Sequence, residues 1–268
     1  MKIYAISVIK NEADIIEKNL LHASAWCDKI CVFDNGSTDG TWEIVNNLKS
    51  DKIIPLKTST VPFRDELRKD VFDYFRDELD DGDWICIRLD ADEFYLDDPR
   101  VFLANLPHSV SLVYGINLEY QFTSDNLNDP DNRFFFEKFN YVCIPSCEQR
   151  FVKYRKKLQW LEGGPLPSHP GIASKKFIKY AHYQFRSPDQ IQKRLNTRKE
   201  ALDTGLSMYW DRDLGKNWES KIIDKKDLIK ITPESDLDKI VKESGMVIPE
   251  SLIMRILKYI MHGFHIWP

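Results

Sequence analysis

The 268-residue sequence lacks the common glycine-rich phosphate signatures. No GxGxxG follows the first strand-like segment, so a dinucleotide Rossmann site is not expected, and the GxxxxGK[ST] of a P-loop is absent. No apolar run is long enough to cross a bilayer. The segment Met1–Asp14 carries two lysines, only a short apolar run and no small-residue cleavage site, so it does not read as a signal peptide. A cytoplasmic location is the resulting expectation. A cationic surplus is also missing: 38 Lys and Arg against 42 Asp and Glu leave a net charge of −4, which argues against nucleic acid as a partner. Paired CxxC spacing is absent too. Cys27, Cys31, Cys86, Cys143 and Cys147 are odd in number and read as free, buried thiols rather than zinc ligands. There is no repeat and no low-complexity tract.

What is present is ample core material. Hydrophobic residues make up 43% and charged residues 30%, which excludes a disordered chain. The first hundred residues alternate strand and helix signals. Strand-like runs at Ile3–Ile9, Lys29–Phe33, Lys52–Leu56 and Trp84–Leu89 are separated by 3.6-period patterns. The first pattern opens at Asp14, the second contains Trp42, Ile44, Val45 and Leu48, and the third runs from Leu67 to Leu79. This alternation predicts an α/β fold with parallel strands, whose ligands bind at the strands' carboxyl ends.

The second half predicts strands over 110–122, 148–160 and 176–183, with a polar loop over 123–133. Ser187-Pro188-Asp189-Gln190 is a strong helix start, and Gly205 is placed to end that helix. Two further helices are predicted over 233–244 and 249–262. The expected division is a catalytic domain over 1–210 and a helical extension over 211–268. The domain itself divides into two halves, 1–100 and 101–210.

Three polar clusters fall on the predicted ligand edge. Asp90-Ala91-Asp92 follows the fourth strand, and carboxylates at i and i+2 there suit a hard cation held against a diphosphate. Asp34 ends the second strand and could accept from a base N–H or a ribose hydroxyl; Gly36 and Gly40 permit tight turns behind it. Asp39 reads as a helix cap. An EF-hand loop is excluded because Gly36 stands where a ligand is required.

In combination, Val8-Ile9-Lys10-Asn11-Glu12, then Asp34-Asn35-Gly36-Ser37-Thr38-Asp39-Gly40-Thr41, then Asp90-Ala91-Asp92-Glu93 resemble family 2 glycosyltransferases of the GT-A fold. The blocks cover roughly the first hundred residues, in that family's order and spacing. His182-Tyr183-x-x-Arg186-Ser187-Pro188 also resembles a downstream motif of the same branch. The resemblance implies a Rossmann-like GT-A fold with a mixed central sheet. It also implies a nucleotide-diphosphate sugar donor, usually UDP-linked, and Mn²⁺ or Mg²⁺. Transfer would invert the anomeric centre of a sugar passed to a saccharide or lipid-linked acceptor, in cell-surface polysaccharide or glycoconjugate synthesis.

By the same resemblance, Lys10, Asn11, Glu12, Asp34, Asn35, Gly36 and Ser37 line the nucleoside pocket. Arg68 meets the diphosphate, Asp90 lies near ribose or metal, and Asp92 binds the metal with His182 as partner. His169 competes for that last role. No Glu-Asp pair marks the catalytic base. Glu162 is the candidate, in a glycine-bearing loop beside Trp160, whose ring could stack on a sugar; Glu119 and Glu148 are alternatives.

The rival functions are a sugar-1-phosphate nucleotidyltransferase and a non-catalytic nucleotide-sugar-binding protein. The last helix interleaves apolar residues with Arg255, Lys258 and His262. It could pack on the domain, pair in a homodimer or make peripheral contact with the inner face of the membrane.

Overall fold

The computed structural model describes residues 1–61, 63–127, 136–203, 215–264 and 266–267. Strand β1 (Ile3–Ile9) is buried along its whole length. Its side chains alternate: Ile3, Ala5 and Ile9 enter one core, and Tyr4, Ile6 and Val8 enter another on the opposite face. Helix α1 (Ile16–Ser24) covers the first face with Ile16, Leu20 and Ala23. Helix α3 (Leu67–Phe75) covers the second with Leu67, Val71, Phe72 and Phe75. Coverage on both faces is what lets parallel strands be near-continuously apolar.

Four parallel strands form this half. β1 pairs with β2 (Lys29–Asp34) and with β4 (Trp84–Cys86), and β2 pairs with β3 (Ile53–Thr58). Helix α2 (Thr41–Asn47) connects β2 to β3. The expected fourth strand is cut short at Cys86, but the chain stays in register: Ile87 N–H donates to Arg150 O and Leu89 N–H to Ile6 O.

The remaining strands make the sheet mixed. β6 (Val110–Tyr120) and β8 (Cys147–Lys153) are antiparallel partners, and β8 runs antiparallel to β4. β7 (Tyr141–Cys143) extends the far side of β6, β9 (Ile172–Ala173) pairs parallel with it, and so does β10 (Ile178–His182). β5 (Glu93–Tyr95) pairs antiparallel with β10. The fold class is therefore the expected one, α/β with a mixed central sheet flanked by helices.

Several boundaries differ from the sequence reading. The strand expected over 148–160 ends at Lys153, because Leu158 N–H closes a turn onto Arg155 O. Trp160 still packs inward, but from a loop. Helix α4 (Pro99–Ala104), capped by Asp98, was not anticipated, nor were β5, β7 and β9. Gly205 and most of the 123–133 loop lie outside the described residues. Helix α5 (Ser124–Leu127) occupies part of what is described there.

Helix α6 (Pro188–Asp203) begins as expected, with the Gln190 N–H donating to Ser187 Oγ. The C-terminal stretch is not purely helical. A two-residue strand, β11 (Ile229–Lys230), joins the sheet antiparallel to β7, and α7 (Leu237–Glu243) and α8 (Leu252–Gly263) follow. All five cysteines are free; Cys27, Cys31 and Cys86 are buried.

Candidate active site

Two loops at the carboxyl ends of β1 and β2 are fastened together. The Asn11 N–H donates to Ser37 Oγ (2.9 Å), Glu12 N–H to Thr41 Oγ1 (2.8 Å) and Ala13 N–H to Asp39 Oδ2 (3.2 Å), while Asn11 Oδ1 accepts from Thr38 N–H (2.8 Å). Asn11 holds a left-handed φ of 55°, a conformation asparagine tolerates better than most residues. The N-cap position of α2 is Gly40, not Asp39 as expected; Asp39 lies one residue earlier, accepts from Thr41 N–H (3.1 Å) and cross-links the two loops through Ala13.

Asp34 is buried and turned back on its own chain. Its Oδ2 accepts from the N–H groups of Gly36 (3.1 Å) and Ser37 (2.9 Å) and from Thr58 Oγ1 (2.9 Å). Gly36 supports this turn at φ 75°, where a Cβ would come within 3.1 Å of Thr60 Cγ2. Asp34 Oδ1 is left without a partner, as is the buried Oδ1 of neighbouring Asn35. Asn35 Nδ2 donates to Ser59 O and Val61 O, fixing the loop after β3.

Above these loops lies a cleft of about 690 Å³. Lys10, Asn11, Glu12 and Asn35 line one wall, Val61 and Phe63 close the side, and the opposite wall is Arg186 and one face of α6, with Asp189, Lys193, Arg194, Arg198 and Glu200. The structure thus brings Lys10, Asn11, Glu12 and Asn35 to one cavity. Asp34, Gly36 and Ser37 form the turn beneath it. Arg68, Asp90, Asp92, His182 and Glu162 are not part of the lining.

Behind the α6 wall, three carboxylates and three cationic groups interlock. Arg186, fully buried, holds Glu12 Oε2 (2.5 Å) and both oxygens of Asp14 (2.7 and 2.9 Å). Arg194 bridges Glu12 Oε1 (3.2 Å) and Asp92 Oδ2 (3.0 Å). His182 Nε2 stands 3.4 Å from the same Asp92 oxygen. Buried charges persist only when paired this closely. Burial works against ionised Asp92, yet His182, Arg194 and Arg186 outweigh it and hold the carboxyl far below its ordinary range. Burial likewise opposes the imidazolium, but Asp92 lifts His182 to about 9. Burial pushes the Glu12 carboxyl up to about 7 against the pull of Arg186.

Asp90 belongs to a neighbouring cluster. Arg68, buried rather than on the helix surface, reaches Asp90 Oδ1 at 3.1 Å and also pairs with Asp65. Despite burial, Arg68 and Arg88 hold the Asp90 carboxyl below its ordinary value. Glu93, the next acid along, is a structural anchor. It takes two hydrogen bonds from buried Arg150 (2.6 and 2.7 Å), which fasten β5 to β8 under the Asp90–Asp92 loop.

The acceptor-side candidates are placed unevenly. Glu162 is exposed, in a loop whose Gly163 approaches Glu66 at the start of α3. The idea that Trp160 could stack on a sugar is not met: its ring is buried 5.8 Å from Phe72 and its Nε1–H donates to Gly164 O. Two acids flank His182 in register, Glu119 on β6 and Glu93 on β5; Glu93 is taken up by Arg150, while Glu119 Oε1 accepts from Gln121 Nε2. Glu148 pairs with Arg88. His169 stacks on Trp267 and is not part of the cluster.

Asp92 and His182 supply one carboxylate and one imidazole side by side. Among the described residues no third His, Cys, Asp or Glu completes a metal cage. Mg²⁺-type sites commonly take one or two protein ligands and leave the rest to phosphate and water. The donor chemistry therefore fits a metal held largely by substrate, with Arg194 as its competitor for Asp92 Oδ2.

Arg194 is the residue that sequence reasoning missed. Arg186 stands in the His182–Pro188 motif, but an arginine in mid-helix carries no signal of its own.

No protein-family model matches this sequence, and no curated relative matches it. Among solved structures, S. aureus TarS is 17% identical over 50% of this chain and 24% of its own, with a TM-score of 0.31. TarS 1–349 in complex with UDP is 17% identical over 50% of this chain and 39% of its own, with a TM-score of 0.30. A putative glucose-1-phosphate thymidylyltransferase from Bacillus anthracis is 11% identical over 56% of this chain and 68% of its own, with a TM-score of 0.29. The chain thus spans a quarter to two fifths of the two TarS structures, and likeness at this level carries no statement about chemistry.

Proposed function

We propose that the protein is a glycosyltransferase that passes a sugar from a nucleotide-diphosphate donor, of the UDP type, to an acceptor hydroxyl with inversion. One observation carries the reading. The cleft at the carboxyl ends of β1 and β2 has a volume typical of small-molecule sites, with Lys10, Asn11, Glu12 and Asn35 on one wall and, on the other, the cations Arg186, Lys193, Arg194 and Arg198 interleaved with Asp189 and Glu200. A nucleoside suits the first wall, and a diphosphate suits the second.

On this reading Asn35, in the cleft lining, meets the nucleoside, and Asp34 holds the turn beneath it. Arg186 is locked by Glu12 and Asp14 and acts as a fixed positive charge. Arg194 is less buried and can exchange its carboxylates for phosphate oxygens. A divalent cation, Mn²⁺ or Mg²⁺, held by Asp92 and His182, would neutralise charge on the departing diphosphate. On the same reading Glu119, opposite His182 in register, takes the acceptor's proton.

Calorimetry with UDP, with and without Mn²⁺, tests the proposal. Binding strengthened by Mn²⁺, together with UDP release from a UDP-sugar, is the expected result. Failure to bind any nucleoside diphosphate would overturn it.

A further inference from the structure

Helix α8 is mounted inside out. Its polar side faces the domain: Glu250, just before the helix and almost fully buried, holds Arg255 (3.3 Å) and Lys258 (2.7 Å). Arg255 also donates to Ala173 O (2.8 Å), and Arg155 meets His262 Nδ1 (3.3 Å). Its apolar side faces outward. Leu252 is 73% exposed, Ile253 78%, Ile256 53% and Tyr259 66%, and Phe264 continues the face at 75%. A helix on a globular domain normally presents the reverse arrangement. An exposed apolar stripe of this kind marks a docking surface.

We infer that α8 is a membrane-docking element whose outer face lies in the headgroup region of an anionic phospholipid bilayer. Charge at the rim is the first reason. The chain as a whole is acidic, yet Lys156 and Lys157 are exposed beside Ile266 and Trp267, where the chain leaves α8. Among the described residues neither lysine pairs with a carboxylate. Exposed Lys175 and Lys176 follow the β9 segment that Arg255 grips. Cations ringing an apolar helix, with Tyr259 and Trp267 at its margin, match the pattern of interfacial helices.

Shape is the second reason. The twelve helical residues carry the apolar stripe along about 18 Å of a single convex helix. Embedding in a bilayer needs no complementary partner surface; it scales with apolar area and adds electrostatic attraction. Among the described residues no helix is long and apolar enough to span a membrane, so the contact is peripheral.

Docking is separable from the transfer reaction, and vesicle co-sedimentation of the full chain tests it. Wild-type protein should pellet with vesicles of phosphatidylcholine containing about one third phosphatidylglycerol. It should pellet at least tenfold less with pure phosphatidylcholine, or at about 1 M salt, where charge is screened. Ile253→Glu/Ile256→Glu should abolish pelleting. Lys156→Glu/Lys157→Glu should remove the preference for anionic vesicles. All four positions are exposed, so UDP affinity and melting temperature should not change. Absence of wild-type pelleting overturns the inference, as does equal pelleting of the Ile253→Glu/Ile256→Glu variant. A wild-type dimer in analytical ultracentrifugation that the same variant dissolves, without vesicle binding, would reassign the face to a second copy.

Discussion

Asp92 and His182 form a buried carboxylate–imidazolium pair, 3.4 Å from Oδ2 to Nε2, at the junction of the Asp90–Asp92 loop and β10. The second imidazole nitrogen, Nδ1, lies 3.3 Å from the Asn117 side-chain amide, whose Oδ1 has no partner. A half-turn of that amide lets Oδ1 accept from an Nδ1–H, which would fix the ring with Nε2 toward Asp92.

The pair makes stability depend on pH in metal-free buffer. His182 titrates at about 9 in the folded state, against about 6.5 when unfolded. A raised folded-state value contributes stability that is complete below about 6.5 and is lost as pH rises through about 9. Melting curves between pH 6 and pH 10 in EDTA should therefore fall more steeply for wild type than for Asp92→Asn, which lacks the charge that lifts His182. Parallel curves would contradict the assignment.

Asp34 holds the turn beneath the cleft lining. Asp34→Ala should lower stability by about 1–3 kcal/mol, since two backbone N–H groups and Thr58 lose their acceptor. UDP affinity should fall by a comparable amount, because the turn that Asp34 holds carries Asn35 into the cleft lining. Denaturant titration and calorimetry separate the two effects. Unchanged UDP affinity in a folded variant would remove Asp34 from the site.

The parallel half of the sheet was legible because each strand is an apolar run and each connection a 3.6-period helix. Its ligand edge followed from the direction of the strands. Arg194 was not legible. It meets Asp92 across 102 residues of sequence, and nothing within α6 distinguishes it from a solvated arginine. Asp34 could point to a ligand or fold back, and Gly36 at positive φ completed the second choice for one of its two oxygens. For α8, periodicity revealed two faces but not which one turns inward; that was decided by buried Glu250, outside the helix itself.

The base assignment moves the role from Glu162, the candidate by sequence, to Glu119, its alternative. Glu119 stands beside His182, whereas Glu162 is exposed against α3. Glu119→Gln should reduce kcat by about 10²–10⁴-fold while leaving UDP affinity intact, the usual effect of removing a general base. Glu162→Gln should stay within a factor of about two, as is usual for an exposed surface change. The opposite ranking would return the role to Glu162.

Arg194 and a divalent cation compete for one oxygen. Asp92 Oδ2 already receives the Arg194 guanidinium at 3.0 Å, so a metal entering there must displace a positive charge. EDTA should abolish transfer, and Mn²⁺ or Mg²⁺ should restore it. Removing the competitor makes the test sharper. Arg194→Ala should bind Mn²⁺ at least tenfold more tightly than wild type in the absence of donor, about 1.4 kcal/mol, measured by titration calorimetry. The same variant should bind UDP more weakly, because one of the cleft's cations is gone. Asp92→Asn should lose Mn²⁺ binding in both backgrounds. Full activity in EDTA would sink the metal assignment outright. Equal Mn²⁺ affinity in wild type and Arg194→Ala would show that the cation, if needed, does not share the Asp92 oxygen that Arg194 occupies.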